Sequence, residues 1–116
     1  MTESCLFCRI VRREIPATVV HEDAETLAFR DIDPKAPQHV LVIPTRHVAA
    51  VRDARDAAGR ELVGRVFQAA AELASELGLD AGGYRLVTNT GPDAGQSVDH
   101  LHVHLLGGRR MSWPPG

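Results

Sequence analysis

The sequence has few aromatic residues and few cysteines, and both shortages narrow the range of folds. Aromatic residues make up 4% of the 116 residues, whereas hydrophobic residues make up 44%. A core must therefore be built mainly from Val, Leu, Ile and Ala. The two cysteines, Cys5 and Cys8, suit one metal ion or a redox pair better than a disulfide framework. A chain of this length predicts a single domain over residues 1–116.

A charge imbalance and long apolar runs are also missing. Thirteen basic and fifteen acidic side chains give a net charge of -2, which offers no attraction for a phosphate backbone. The longest apolar runs, such as 40–43, are far shorter than the roughly 20 residues of a membrane-spanning helix. No apolar stretch of signal-peptide length precedes Arg9. We therefore expect a cytoplasmic protein with neither a membrane nor a nucleic acid as partner.

Hydrophobic periodicity predicts an α+β fold with a mainly antiparallel sheet. Apolar residues recur every three or four positions between about 53 and 77, which is typical of an amphipathic helix that Gly78 ends. Residues 7–11 predict a short N-terminal helix that stops before Pro16. Short runs of β-branched and apolar residues indicate five strands, at 18–21, 26–31, 39–43, 84–88 and 100–106.

Histidine alternates with aliphatic residues in the last predicted strand. His100, His102 and His104 should share one face, about 6.5 to 7 Å apart, because strand side chains alternate between faces. Three neighbouring imidazoles cannot all be cationic cheaply, so some should stay neutral and nucleophilic and could address one phosphate group. Three of only six histidines in strict alternation favour a functional site over a solvated sheet edge. A hydrolytic zinc site, with a third histidine from elsewhere, remains a second possibility.

Two further segments lack a purely structural explanation. Residues 89–97 form a polar loop with two glycines that is longer than a tight hairpin needs, and long loops are usually functional or disordered. Trp113, the only tryptophan, lies in a stiff Pro-rich tail with no helix or strand to bury it. An exposed tryptophan often marks an interface.

The pattern His-φ-His-φ-His-φ-φ, where φ is aliphatic, is matched at residues 100–106 and is the defining motif of the histidine-triad (HIT) superfamily. Over nearly its whole length the chain resembles the purine-nucleoside phosphoramidase branch, with matching segments at 7–16, 27–32, 39–44, 95–97, 106–109 and 113–116. The resemblance implies one HIT domain with a five-stranded antiparallel sheet, one long helix and a short N-terminal helix. It also implies a homodimer that pairs through the long helix and the fourth strand, with Trp113 reaching toward the partner's active site.

The same resemblance implies a hydrolase that cleaves the P–N bond of a purine nucleoside phosphoramidate. His102 would attack the α-phosphorus and carry the nucleotide until water releases the monophosphate. His104 and His39 would stabilise charge on the phosphoryl oxygens and help to protonate the departing amine. Ser97 would offer its hydroxyl to the leaving group, and no catalytic metal is required.

Nucleotide-binding residues follow from the resemblance in the same way. Asp31 would accept the ribose hydroxyls and Ile32 would lie beside the base, although a turn-capping role also explains Asp31. Phosphate and sugar contacts would come from Asn89, Gly95, Gln96 and Ser97, together with His102 and His104. The purine slot would be formed by Phe7, Ile10, Ile15 and Phe29, which core packing explains equally well.

The two cysteines are similar to those of bacterial members that hold structural zinc. The implied ligands are Cys5, Cys8, His47 and His100, a closed tetrahedral set. A free thiol or a redox pair is the competing interpretation, but the βαβ context of a thioredoxin-like motif is missing. Two positions do not follow the family pattern: His21 matches no family site, and Asp99 replaces an aromatic residue that is often found there.

Two other functions remain open from the sequence. Dinucleoside polyphosphate hydrolysis would use the same nucleophile with a different leaving group, although the short chain and its Trp-Pro-Pro-Gly ending disfavour it. A nucleotide-binding adaptor with incidental turnover would need an intact pocket but no covalent adduct.

Overall fold

The computed structural model describes residues 2–116, with only the backbone of Thr2. It confirms the predicted α+β fold, a five-stranded antiparallel sheet with one long and one short α-helix. None of the described helices combines the length and the apolar character needed to span a membrane. The elements are helices α1 (Leu6–Val11) and α2 (Ala57–Glu76) and strands β1 (Val19–Glu22), β2 (Thr26–Arg30), β3 (Gln38–Pro44), β4 (Tyr84–Val87) and β5 (Val103–Gly107), with short 3-10 turns at Thr2–Ser4, Val51–Asp53 and Pro92–Ala94.

Helix α2 begins later than the periodicity predicts because local side chains define its start. The Asp56 carboxylate accepts the Gly59 N–H at 2.7 Å and so caps the first turn. Gly59 also lies against the chain that enters the helix, since a Cβ there would be 2.4 Å from the carbonyl of Ala54. The helix ends at Glu76 with Leu77 as its C-cap residue, and Gly78 follows with a left-handed φ of 76°.

The sheet has the strand order β1-β2-β3-β5-β4, and all neighbours are antiparallel. Strand β5 therefore lies between β3 and β4, and Leu41 of β3 is directly opposite His104 of β5. This pairing brings the C-terminal histidines beside His39 on β3, which comes about 60 residues earlier in the sequence.

Alternation of side chains gives the sheet two apolar faces. One face packs against α2 and includes Val40, Val42, Val103 and Leu105. The other packs against α1 and includes Leu27, Phe29, Leu41 and Ile43 with Phe7 and Ile10. His39 and His104 project from the strands between these apolar positions, on the α1 side.

The predicted strand 100–106 is wrong in its first three residues, because β5 begins only at Val103. Continuing the register would place Leu101 opposite Pro44, which has no N–H to donate to a ladder. Instead the Leu101 N–H donates to the carbonyl of Val48 at 2.6 Å. The carbonyl of Pro44 accepts a hydrogen bond from Nε2 of the His100 ring at 2.9 Å. His100 is thereby drawn away from the ladder that holds His104.

Candidate functional site

His102 lies just before β5 and is held in one tautomer by the main chain. Its Nδ1 is 2.7 Å from the carbonyl oxygen of His100, which can only accept, so Nδ1 carries the proton and Nε2 keeps a lone pair. The Thr88 hydroxyl donates to the His102 carbonyl at 2.8 Å and fixes the backbone from the β4 side. The ring is 4% exposed and meets the Phe7 ring edge-on at 5.2 Å. A buried imidazole with a directed lone pair is suited to nucleophilic attack.

His39 and His104 form a hydrogen-bonded pair with a defined direction. The Lys35 N–H donates to His39 Nδ1 at 3.0 Å, so a neutral His39 holds its proton on Nε2. That Nε2 donates to His104 Nδ1 at 2.9 Å, which leaves the His104 proton on Nε2. The His104 ring is 5.1 Å from the ring of His102. The pair therefore presents an N–H donor beside the candidate nucleophile.

Burial keeps this pair neutral. Burial, followed by the unfavourable proximity of the His102 and His39 rings to a cationic His104, lowers the pKa of His104 from 6.5 to about 4, whereas the Asp31 carboxylate opposes this shift. Burial also lowers the pKa of His39, although the nearby Asp31 carboxylate opposes this shift. At neutral pH both rings are uncharged, so their tautomers are set by the hydrogen bonds described above.

Asp31, His39 and His104 also place three possible metal ligands within 4.8 Å of one another. Asp31 Oδ2 lies 3.5 Å from His39 Nε2. To bind a metal through Nε2, however, His39 would have to move its proton to Nδ1 and give up the Lys35 N–H. These residues suit a proton-bearing pair near a carboxylate better than the hydrolytic zinc site that the sequence left open.

An apolar cavity of about 500 Å³ adjoins these histidines through Phe7. It brings together the residues expected to form a purine slot with those expected near the ribose and base. The ring of Phe7 meets that of Phe29 edge-on at 5.4 Å, and Asp31 and the fully exposed Ile32 lie at the same cavity. The sequence reasoning missed Leu41, although its position opposite His104 in the ladder places it on this face. The predicted residues that line the cavity are Phe7, Ile10, Ile15, Phe29, Asp31 and Ile32.

The loop between β4 and β5 is held in shape by Gln96. Its side-chain oxygen accepts the Gly91 N–H at 2.9 Å, and its amide donates to the carbonyls of Ala49 at 2.7 Å and Val98 at 3.0 Å. The side chain expected to contact nucleotide is thus engaged within the protein. Gly95 adopts the left-handed φ of 77° that its position in the turn requires.

Ser97 and Asn89 are placed apart from the apolar cavity. Ser97 lines a second cavity of about 510 Å³ together with Cys5, His47 and Asp99. Asn89 is half-buried just after β4. The structure therefore places Ser97 beside the cysteine and histidine cluster rather than among the residues of the purine slot.

Cys5, Cys8, His47 and His100 converge in a second cluster, as expected from the sequence. The Nδ1 atoms of His47 and His100 are 3.3 Å apart, and Cys5 Sγ is 3.3 Å from His100 Nδ1. Cys8 Sγ is 3.3 Å from His47 Nδ1 and 3.5 Å from His100 Nδ1. Cys5 Sγ also accepts the Cys8 N–H at 3.4 Å at the start of α1.

The two sulfurs and two nitrogens of the cluster have the spacing of a tetrahedral coordination shell around one cation. Zinc–nitrogen bonds of about 2.0 Å and zinc–sulfur bonds of about 2.3 Å at tetrahedral angles place two nitrogens about 3.3 Å apart and a nitrogen and a sulfur about 3.5 Å apart. The observed separations agree within a few tenths of an ångström. The His100 Nε2–H donates to Pro44, so its Nδ1 has a lone pair for the cluster. Burial and then the neighbouring Cys5 thiol raise the pKa of Cys8 to about 11, so a bound cation would favour the Cys8 thiolate at neutral pH.

The chain is similar to known proteins both in sequence and in structure. A HIT-like protein of Synechococcus elongatus is 50% identical over 116 residues, the whole length of both chains. A 14 kDa zinc-binding protein of Zea mays is 47% identical over 117 residues, covering 96% of this chain and 87% of that protein. The crystal structure of a HIT family hydrolase from Legionella pneumophila has a TM-score of 0.93 and 52% identity, covering 97% of this chain and 100% of that one. The sequence model of the HIT domain matches residues 12–111, and the chain belongs to this family.

Proposed function

We propose that the protein hydrolyses the P–N bond of purine nucleoside phosphoramidates through a covalent intermediate on His102. The observation that carries this proposal is the 2.7 Å hydrogen bond from His102 Nδ1–H to the His100 carbonyl, which leaves Nε2 free to attack. The neutral His39–His104 pair beside it supplies an N–H donor. The Legionella pneumophila relative, a HIT family hydrolase, supports hydrolysis as the reaction type.

The residues divide the reaction into two displacements. In the first, His102 Nε2 would bond to the α-phosphorus while the bond to the amine nitrogen breaks, and the amine would leave with one proton relayed from solvent through the His39–His104 pair. His104 Nε2–H would also stabilise the charge on the phosphoryl oxygens. In the second, water would attack the same phosphorus, the bond to His102 Nε2 would break, and one proton of the water would return to solvent through the same pair as the nucleoside monophosphate leaves.

The apolar cavity would hold the nucleoside. Its volume of about 500 Å³ and its aromatic walls, Phe7 and Phe29, suit a flat purine ring. The Asp31 carboxylate, at the cavity and 3.5 Å from His39 Nε2, would accept the ribose hydroxyls. Asn89, Gly95 and Ser97 would approach the phosphate and leaving group.

The cysteine and histidine cluster would hold zinc as a structural ion. Cys5, Cys8, His47 and His100 supply four ligands, which is a closed set with no position for substrate. The relative from Zea mays, a 14 kDa zinc-binding protein, supports this identity of the metal.

A homodimer that pairs through α2 and β4 belongs to the same proposal. Strand β4 is at the edge of the sheet, and among residues 2–116 of one chain it pairs with β5 alone. Arg85 on β4 donates to the carbonyl of Ser112 at 3.0 Å, which fastens the C-terminal segment to this edge. The adjacent Trp113 is 84% exposed, so it is available to a second chain that docks there.

The test is a fluorogenic adenosine phosphoramidate assay with intact-mass analysis of the quenched protein. We expect the wild type to turn over and to show a transient adenylylated mass, and His102→Ala to show neither. The control is His21→Ala on β1, which removes a ring bonded to Asp23. This variant should retain both the turnover and the adenylylated mass. Turnover by His102→Ala contradicts the proposed nucleophile. Turnover by the wild type contradicts it as well if samples from a rapid-quench time course never contain the adduct. Binding of AMP without any reaction favours the adaptor function instead.

A further inference from the structure

His100 belongs to both the metal cluster and the proposed active site. Its ring Nδ1 is 3.3 Å from Cys5 Sγ and from His47 Nδ1, whereas its backbone carbonyl accepts the His102 Nδ1–H at 2.7 Å. The residue is fully buried, and its Nε2–H is bound to the carbonyl of Pro44. The same residue therefore supplies one of the four ligands and the carbonyl that sets the tautomer of His102.

Phe7 provides a second connection between the same two sites. It lies between Cys5 and Cys8 in the sequence, and its ring meets both His100 at 5.9 Å and His102 at 5.2 Å. The same ring lines the apolar cavity. Helix α1, which carries it, has six residues and is too short to be stable alone. Its position therefore depends on the cysteines and on its packing against the sheet.

Loss of the cation would disturb both connections. Without a shared cation, the Nδ1 atoms of His47 and His100, 3.3 Å apart, repel if both present lone pairs, so either one ring turns or His47 moves its proton to Nδ1 and donates to His100. A turn of the His100 ring breaks its bond to Pro44 and loosens the carbonyl that orients His102. Release of Cys5 and Cys8 frees the helix that holds Phe7 against the cavity.

We propose that metal binding at the Cys5–Cys8–His47–His100 cluster positions His102 and the Phe7 wall of the cavity, so that metal affinity and nucleotide affinity are coupled. His100 and Phe7 act as positioning residues in this coupling, and the metal takes no part in the chemistry. The inference rests on the proposed function, because it takes the cavity as the nucleoside site. Since such coupling is reciprocal, bound nucleotide must tighten metal binding by the same factor as the metal tightens nucleotide binding.

The first test reads the tautomer of His102 by NMR of ¹⁵N-histidine-labelled protein. In the zinc-loaded protein, we expect His102 to hold its proton on Nδ1, with separate shifts for the two ring nitrogens. After zinc removal, the two nitrogen shifts should move toward each other as both tautomers become populated. An unchanged pair of shifts in folded, zinc-free protein overturns the proposal.

The second test measures the coupling in both directions with AMP. Zinc removal should weaken AMP binding by about tenfold, which is within the usual range for coupled sites. Saturating AMP should raise the zinc affinity of the protein, measured against a competing chelator, by the same factor. The chelator experiment is made under conditions in which circular dichroism shows the zinc-free chain folded, because AMP raises the zinc affinity of any chain that unfolds on losing zinc. If the zinc-free chain unfolds, the matched variants described next separate local positioning from global stabilisation. Equal zinc affinities with and without AMP overturn the coupling.

Phe7→Leu isolates the contribution of the cavity wall. This substitution keeps all four ligands and an apolar side chain, and should reduce the coupling factor toward one while zinc still binds. A matched control is Phe67→Leu on α2, which packs on the opposite face of the sheet and should leave the factor unchanged. A full coupling factor in Phe7→Leu contradicts the role assigned to this ring. If zinc-loaded wild type fails to bind AMP at all, the proposed function fails, whereas AMP binding without coupling removes only the present inference.

Discussion

Main-chain groups set the tautomers of His39, His100 and His102, and the tautomer of His104 follows from its bond to His39. The Lys35 N–H fixes the proton of His39 on Nε2, and the His100 carbonyl fixes that of His102 on Nδ1. The Pro44 carbonyl does the same for the ring of His100. Because backbone groups keep their identity under substitution, these tautomers should withstand many changes in the surrounding side chains.

The half-buried His104 predicts a loss of stability in mild acid. Its pKa is lowered to about 4 in the folded protein, first by burial, from the value of 6.5 that an unperturbed histidine has. Between these values the unfolded chain binds more protons, so the free energy of unfolding falls as pH drops from about 6.5 to about 4. His104→Asn should make this decline shallower in urea unfolding of zinc-saturated protein.

The control for that experiment is Leu106→Ala, two residues away on the same face of β5. It removes packing without removing a titratable group, so it should lower stability at every pH and keep the wild-type slope. An equal slope in His104→Asn and the wild type would show that His104 is not the source of the acid sensitivity.

Several site residues could be predicted because their signals lie in local sequence. Strict alternation placed His102 and His104 together, and the Cys-x-x-Cys spacing indicated one metal ion or a redox pair. The resemblance to zinc-containing members added His47 and His100, and the four donor atoms do converge. Two features could not be predicted, because each depends on a main-chain partner distant in sequence. Pro44 ends the ladder and draws His100 out of β5, and the carbonyl of Ala49 engages the side chain of Gln96.

At the scale of elements, helix α2 contains two glycines with opposite requirements. A Cβ at Gly59 would be 2.4 Å from the Ala54 carbonyl, so Gly59→Ala should cost about 1–3 kcal/mol, as overpacked sites do. Gly64 is exposed with no atom within 4 Å of a Cβ, so Gly64→Ala should stabilise the helix by about 1 kcal/mol. Urea unfolding followed by circular dichroism measures both values, and the same sign for both would contradict this assignment.

Helix α1 should depend on the metal cluster more than any other element does. Arg9 lies in the helix, and Arg12 and Arg13 follow at its end, all exposed. Because protease cleavage requires local opening, chelation should speed tryptic cleavage at these sites by about tenfold. Arg109 and Arg110 in the C-terminal segment provide an internal control whose cleavage should not change. Equal acceleration at both ends would indicate global unfolding rather than release of α1.

The elements themselves were more predictable than their ends. Periodicity indicated both helices and all five strands, because burial on one face leaves a regular pattern in the sequence. The start of α2 was displaced because the Asp56 cap and the close contact at Gly59 override the apolar pattern that extends toward residue 53. Contacts at an element's end depend on a few atoms, and composition does not encode them.

At the scale of the whole molecule, the proposed dimer makes a prediction about mass. The chain has a mass of 12.6 kDa, so sedimentation equilibrium should give about twice this value. The melting temperature should rise with protein concentration, because association stabilises the folded chains by mass action. A mass of one chain at all concentrations, together with a constant melting temperature, would contradict pairing through α2 and β4.

The position of β5 has a consequence for how the protein folds. This strand comes last in the chain order of the five, yet it takes an interior position in the sheet between β3 and β4. During synthesis, β1, β2 and β3 can pair as soon as they emerge, whereas β4 has no neighbour until β5 arrives. His100, His102 and His104 arrive with that strand, so both the metal cluster and the proposed nucleophile are completed in the same late step. A ribosome-bound chain that ends before residue 100 should thus neither retain zinc nor react with a nucleotide.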